Sequence, residues 1–157
     1  MRSALAVVGA LFICAIDQTA KYFLVHADST AMTKFGPVKI TATINENIAF
    51  SLPTANAVMI ALIALALIFV TYMYIRVLSR GIITTIAFGM IWGGSLSNIV
   101  DRLRYGGVVD FLQIGISPIF NFADLGITIG LLYFFIAFLK KEKQKDVDTT
   151  TRPPFIA

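Results

Sequence analysis

The sequence predicts an all-α membrane protein in which four transmembrane helices carry a small extracytoplasmic β-sheet, and three observations lead there. Of 157 residues, 57% are hydrophobic and 14% charged, with a mean hydropathy of +0.81; ordinary soluble domains carry about 25% charged residues. Four apolar stretches run from Ala4 to Val25, Ala55 to Leu78, Ile82 to Val100 and Phe122 to Leu139. Each has about 20 residues, enough for a helix to cross a hydrocarbon core of roughly 30 Å. Between the first two, Val38, Ile40, Ala42 and Ile44 alternate with Lys39, Thr41 and Thr43, the period of a half-buried strand. Little remains for a second domain, so 1–157 is read as one integral membrane unit.

The first helix follows a basic residue, Arg2, as a signal peptide would. It is too long for one, carries Asp17 and Lys21, and has no small-residue cleavage site after it, so it is expected to stay. The outer β region, about 34–52, is bounded by Pro37 and Pro53, and an amide-rich turn from Asn45 to Phe50 leads back to the membrane. Arg76 and Arg80 fall in the short connection between the second and third helices, on the same side as Arg2 and the terminal Lys140, Lys141, Lys143 and Lys145. The positive-inside rule makes that side cytoplasmic, with both termini inside. The charged, then Thr- and Pro-rich segment 140–157 reads as a disordered cytoplasmic tail. The net charge of +4 is thus a topology signal, and no nucleic-acid partner is expected.

Two carboxylates stand out, Asp110 in Val108-Val109-Asp110-Phe111 and Asp124 in Phe120-Asn121-Phe122-Ala123-Asp124. Acids beside membrane segments are costly and by default functional. Depth narrows the function. Asp17 and Lys21 lie about 22 and 28 Å along the first helix from Arg2, Asp101 about 31 Å from Arg80, and Asp124 about 24 Å from Lys140. All the intramembrane charges gather at the outer boundary, whereas a transporter more often holds its ionisable site near the midplane. His26 is the only histidine and Cys14 the only cysteine, so no zinc site, other metal centre or internal disulfide is expected. Carboxylates and amides remain. Two close carboxylates share a proton and so supply a base for water and an acid for a carbonyl oxygen, which is the chemistry of peptide hydrolysis by an aspartate dyad.

At these residues the chain resembles prolipoprotein signal peptidase, or signal peptidase II, a family of bacterial membrane aspartic peptidases. The matching blocks, in order, are Asp17-x-x-x-Lys21, Asn45-x-x-Ile48-Ala49-Phe50, Gly93-Gly94-x-x-x-Asn98-x-x-Asp101-Arg102, Val108-Val109-Asp110-Phe111 and Phe120-Asn121-x-Ala123-Asp124. Any one is weak; five in register are specific. The resemblance implies an endopeptidase of the bacterial inner membrane that cuts a lipoprotein precursor just before its diacylglyceryl cysteine. Asp110 and Asp124 match the catalytic pair. Asp17, Lys21, Asn45, Asn98, Arg102 and Asn121 would frame the site and hold substrate. The implied partners are the lipidated precursor and membrane lipid, without a cofactor, for a chain expected to act as a monomer. Asn47 and Ser97 depart from the glycines common in the family, and neither change removes a catalytic group.

Plainer readings stand beside these. Asp17 and Lys21 at i,i+4 would form a helix-stabilising ion pair in any case, and Asp101-Arg102 would anchor the third helix at the interface. Gly89-x-x-x-Gly93 and Gly126-x-x-x-Gly130 have the spacing of close helix contacts. The rival functions are a small ion-coupled transporter or channel subunit using Asp17 and Asp124, and an assembly subunit gripping a partner with its sheet.

Overall fold

The computed structural model describes residues 2–26, 33–46, 55–78 and 81–150. Its helices are α1 (Arg2–His26), α2 (Ala55–Tyr72), α3 (Ile82–Tyr105) and α4 (Phe122–Thr150); its strands are β1 (Thr33–Phe35), β2 (Val38–Asn45) and β3 (Val108–Ile114). All four helices are long and apolar enough to cross a membrane. α3 is the central one: 56% of its apolar window is buried inside the protein, against 6%, 11% and 22% for α1, α2 and α4. The lipid-facing surfaces of the other three are large apolar side chains such as Leu11, Phe12, Ile68, Phe69, Leu132 and Phe135.

Small residues let the backbones close on α3. A Cβ on Gly93 would overlap the backbone of Ala10 on α1, one on Gly94 would sit 2.5 Å from the Ala123 carbonyl oxygen of α4, and one on Gly130 would sit 2.8 Å from that of Ala87. The glycine spacings therefore serve packing, as expected. Toward the end of the bundle where α2 gives way to α3, Leu67, Val70, Leu78, Ala87, Ile91 and Phe134 form an apolar core. There α2 ends in a π-helical turn, Met73–Val77, closed by a bond from the Leu78 N–H to the Met73 carbonyl (2.9 Å).

At the opposite end, where α1 and α3 finish and α4 begins, lies an antiparallel sheet in the order β1-β2-β3. β2 forms where the alternation predicted a strand, but its burial runs in two blocks, half-buried from Val38 to Thr41 and exposed from Ala42 to Ile44, with an irregular register between Ile40 and Thr43. β3 was not foreseen, because Val108 to Phe111 is buried throughout and shows no alternation. Gly106, at φ 74°, caps α3 in the left-handed region and turns the chain into β3. A Cβ at Gly107 would sit 2.8 Å from the Asn45 carbonyl oxygen, so glycine lets the end of β2 close on the start of β3. In that register Thr43 faces Asp110, Ile44 faces Val109 and Asn45 faces Val108.

Two boundaries differ from expectation. α3 runs past Val100 to Tyr105, because the charge at Asp101 is buried and paired rather than marking the helix end. The expected disordered tail from Lys140 is corrected as well: α4 continues to Thr150. That stretch is rich in Lys, Glu and Gln, which favour helix, and Lys141 reaches back to the Val77 carbonyl. Residues 151–157 and the Asn47 to Phe50 part of the second matching block lie outside the described residues.

Candidate active site

Asp110 and Asp124 are brought together by elements that end at the same place. Asp110 is the third residue of β3, 4% exposed. Asp124 is in the first turn of α4, and Asn121 caps that helix. The Asp124 N–H donates to Asn121 Oδ1 (2.9 Å) while the Asn121 N–H donates to Asp124 Oδ2 (3.3 Å), a reciprocal capping box that satisfies two backbone donors at the helix start. Asn121 Nδ2 is also 2.7 Å from Asp110 Oδ1. One fully buried asparagine thus holds both acids.

The remaining oxygens receive amides. Asn45 Nδ2 donates to Asp110 Oδ2 (2.7 Å), and Asn98 Nδ2 donates to Asp124 Oδ1 (2.9 Å). Thr43 Oγ1 donates to the Asp110 carbonyl oxygen (3.2 Å). Burial pushes the Asp110 carboxyl above its ordinary value of 3.8, and the negative charge of Asp124 adds to the rise; the bonds from Asn45 and Asn121 and the charge of Lys21 oppose it. Asp124 sits where the first-turn amides of α4 favour negative charge. Beside Asp110 a cavity of about 570 Å³ opens between the end of β2 and the segment Pro118–Ile119.

Behind the acids lies a second polar cluster, built around the buried charges of Asp17, Lys21 and Asp101. Lys21 Nζ is 2.5 Å from Asp17 Oδ2 and 2.6 Å from Asp101 Oδ2, and it donates to Asn98 Oδ1 (3.1 Å). Asn98 accepts from Asn121 Nδ2 as well (3.2 Å), so Lys21 connects through one amide to Asp124 and through two to Asp110. Ser97 Oγ donates to Asp17 Oδ2 (2.7 Å), and Gln18 Nε2 donates to Asp101 Oδ1 (2.8 Å) and Ser97 Oγ (2.9 Å).

Of the residues singled out in the sequence, Asp17, Lys21, Asn45, Asn98, Asn121, Asp110 and Asp124 form this one network. Arg102 does not join it: its Nη1 bonds Asn56 Oδ1 (3.4 Å), and its Nε is buried with no partner among the described residues. Sequence reasoning placed Asp101 in a matching block, with an interface anchor as its plainer reading, but did not name it among the site residues, and it gave Gln18 no role. A matching of faces would have found Asp101, since Asp17 and Lys21 on α1 and Ser97 and Asp101 on α3 are both i,i+4 pairs at the same depth. Among the described residues no group of three or more His, Cys, Asp or Glu side chains is placed to hold a metal ion.

Comparison with known proteins places the chain in a family. Residues 9–140 match the family model of signal peptidase (SPase) II. The lipoprotein signal peptidase of Anaplasma phagocytophilum is 31% identical over 142 residues, covering 84% of this chain and 90% of that protein; that of Halothermothrix orenii is 30% identical over 141 residues, covering 87% and 96%. A bacterial membrane enzyme structure solved by the in meso method at 1.9 Å resolution superposes with a TM-score of 0.76 at 29% identity, over 86% of this chain and 92% of that one. These similarities run through all four helices and both acid-bearing segments and do not favour a transporter: the chain belongs to the signal peptidase II family.

Proposed function

We propose that this chain removes the signal peptides of prolipoproteins as an aspartic endopeptidase, with Asp110 and Asp124 as the catalytic pair, cutting before the diacylglyceryl cysteine. The observation that carries the reading is the double hold of Asn121, which donates its side-chain amide to Asp110 and its backbone N–H to Asp124. Asp124 takes a proton from water as the water oxygen bonds to the scissile carbonyl carbon, and Asp110 gives its proton to the carbonyl oxygen. As the tetrahedral diol collapses, the C–N bond breaks, the leaving nitrogen takes the proton from Asp124, and a hydroxyl proton returns to Asp110.

Asn45, Asn98 and Asn121 hold the acids, Asp17 and Lys21 support them from behind, and Arg102, half-buried near the end of α3, is assigned to substrate. The basic residues Arg76, Lys140, Lys141, Lys143 and Lys145 support an orientation with both termini in the cytoplasm and the acids toward the outer face. In this reading the chain works as a monomer. An apolar crevice of about 390 Å³ between α2 and α4, lined by Phe69, Val70, Phe134 and Phe138, supports lateral entry of a signal helix from lipid. The test is to incubate the purified protein with lipidated and unlipidated precursor and follow the shortened product by mass. Cleavage of the lipidated form alone is expected. Equal cleavage of both would remove the lipid requirement, and cleavage surviving in Asp110→Asn or Asp124→Asn would remove the dyad.

A further inference from the structure

The backbone N–H of Val109, immediately before Asp110, donates to Asp101 Oδ2 (3.1 Å), and that of Ala123, immediately before Asp124, donates to Asp17 Oδ1 (3.0 Å). Each acid of the proposed dyad is thus preceded by a residue whose main chain is tied to a fully buried carboxylate. The same ammonium, Lys21, pairs with both. From this geometry we infer that Asp101 is a positioning residue for the reaction, anchoring β3 and so setting where Asp110 stands relative to Asp124.

A plainer role, counter-ion to Lys21, does not account for Asp101. Asp17 already occupies that role one helical turn away at 2.5 Å, and a second buried carboxylate on one ammonium leaves an excess negative charge whose desolvation is costly. What stabilises the extra charge is the set of donors it holds, the Gln18 amide and the Val109 N–H. On the side away from β2, Phe120 exchanges backbone bonds with Leu112 (2.8 and 2.9 Å), and on the residue before Asp110 the hold comes from Asp101 on α3. Asp17 does the same for α4 with help from Ser97. The two acid-bearing segments of the site are then referenced to one buried centre on α1 and α3. A shift of about 1 Å at a reacting group costs about 10²-fold in rate.

The inference rests on the proposed reading for its consequence in catalysis, so the experiment has a substrate-free arm. Amide hydrogen exchange is followed at Val109, Asp110 and Ile91 in the full-length protein, alongside kcat and KM for a lipidated precursor. In Asp101→Ala, exchange at Val109 and Asp110 should quicken at least tenfold with Ile91 unchanged. kcat should fall about 10²-fold with KM within twofold. Asp101→Asn keeps an oxygen for the Val109 N–H and should recover most of the lost kcat. Unchanged exchange at Val109 with kcat within threefold of the parent overturns the inference, as does an Asn variant no better than Ala with protection lost everywhere. If Asp101→Ala does not fold, Gln18→Leu, which removes one donor to Asp101, takes its place: faster exchange at Val109 with a 3- to 10-fold loss of kcat supports the tether, and no change in either overturns it. A parent that cleaves no lipidated precursor defeats the proposed function, while the exchange data still decide the tether.

Discussion

Asp17 with Asp101, and Asp110 with Asp124, are two pairs of carboxylates at one end of the same bundle, and they differ in what they share. The first pair shares an ammonium at 2.5 and 2.6 Å and takes further hydrogen bonds from Ser97, Gln18 and two backbone N–H groups. The second shares only amides, from Asn45, Asn98 and Asn121. A buried cation offsets carboxylate charge, and this pair ties β3 and the start of α4 to α3 and α1. Amides stabilise a carboxylate without cancelling its charge, and in the proposed mechanism such a pair shares one proton. In that mechanism the partner, more than the acid, separates a scaffold from a reactive site.

The largest effect that tests this contrast is on turnover. Asp110→Asn and Asp124→Asn should each lower cleavage of the lipidated precursor by about 10²- to 10⁴-fold, the range for lost acid–base catalysis. The double variant should be little worse than either, because the pair acts as a unit. Multiplying losses in the double variant would mean that the two acids work separately.

Breaking the other pair should instead show in folding. Lys21→Met strands two buried carboxylates and should destabilise the protein by about 3–5 kcal/mol, read by denaturant unfolding in detergent. Lys21→Met combined with Asp101→Asn removes one stranded charge and should regain part of that loss. A Lys21→Met protein as stable as the parent would mean that these acids do not depend on the cation for their charge.

Asn121→Ala sharpens the comparison at the helix cap. The lost cap costs about 1 kcal/mol of stability, whereas losing the hold on both acids should lower kcat by about 10²-fold. Equal specific activity in the folded fraction would assign Asn121 to the cap alone.

The pH dependence of stability gives a smaller signal. Because the folded protein raises the Asp110 carboxyl above 3.8, the fold favours its protonated form. That stabilisation is complete below 3.8 and is lost as pH rises through the folded value. Asp110→Asn should therefore gain melting temperature relative to the parent as pH rises from about 4 toward neutrality. A difference that is flat with pH would contradict the raised carboxyl. The smallest effect lies at the apolar end of the bundle, where Trp92 Nε1 donates to Thr71 Oγ1 (3.2 Å). Thr71→Val should cost about 0.6 kcal/mol and leave kcat within twofold, since nothing there touches the acids.

Four helices and the β2 strand were legible in the sequence, because length, hydropathy and alternation are local properties; Asp110 and Asp124 stood out as acids beside membrane segments, while the amides and charges expected around them came from the family resemblance alone. β3 was not legible, since a short strand buried along its first four residues has no alternation to read. The continuation of α4 past Lys140 was missed because hydropathy marks where a membrane segment stops being apolar, not where a helix stops.

What the sequence by itself determined is the set of elements, their lengths and the chemistry available: carboxylates and amides, a single histidine, a single cysteine. Only the tertiary structure decided which acids share a cation and which share amides. That choice depends on α1 and α3 closing at Ala10 and Gly93, which puts Lys21 between Asp17 and Asp101, and on Gly106 turning the chain so that β3 carries Asp110 to Asn121. Pairing of charges is a matter of a few ångströms in a low-dielectric interior, and distances of that kind between segments 80 residues apart arise from packing, which no local pattern encodes.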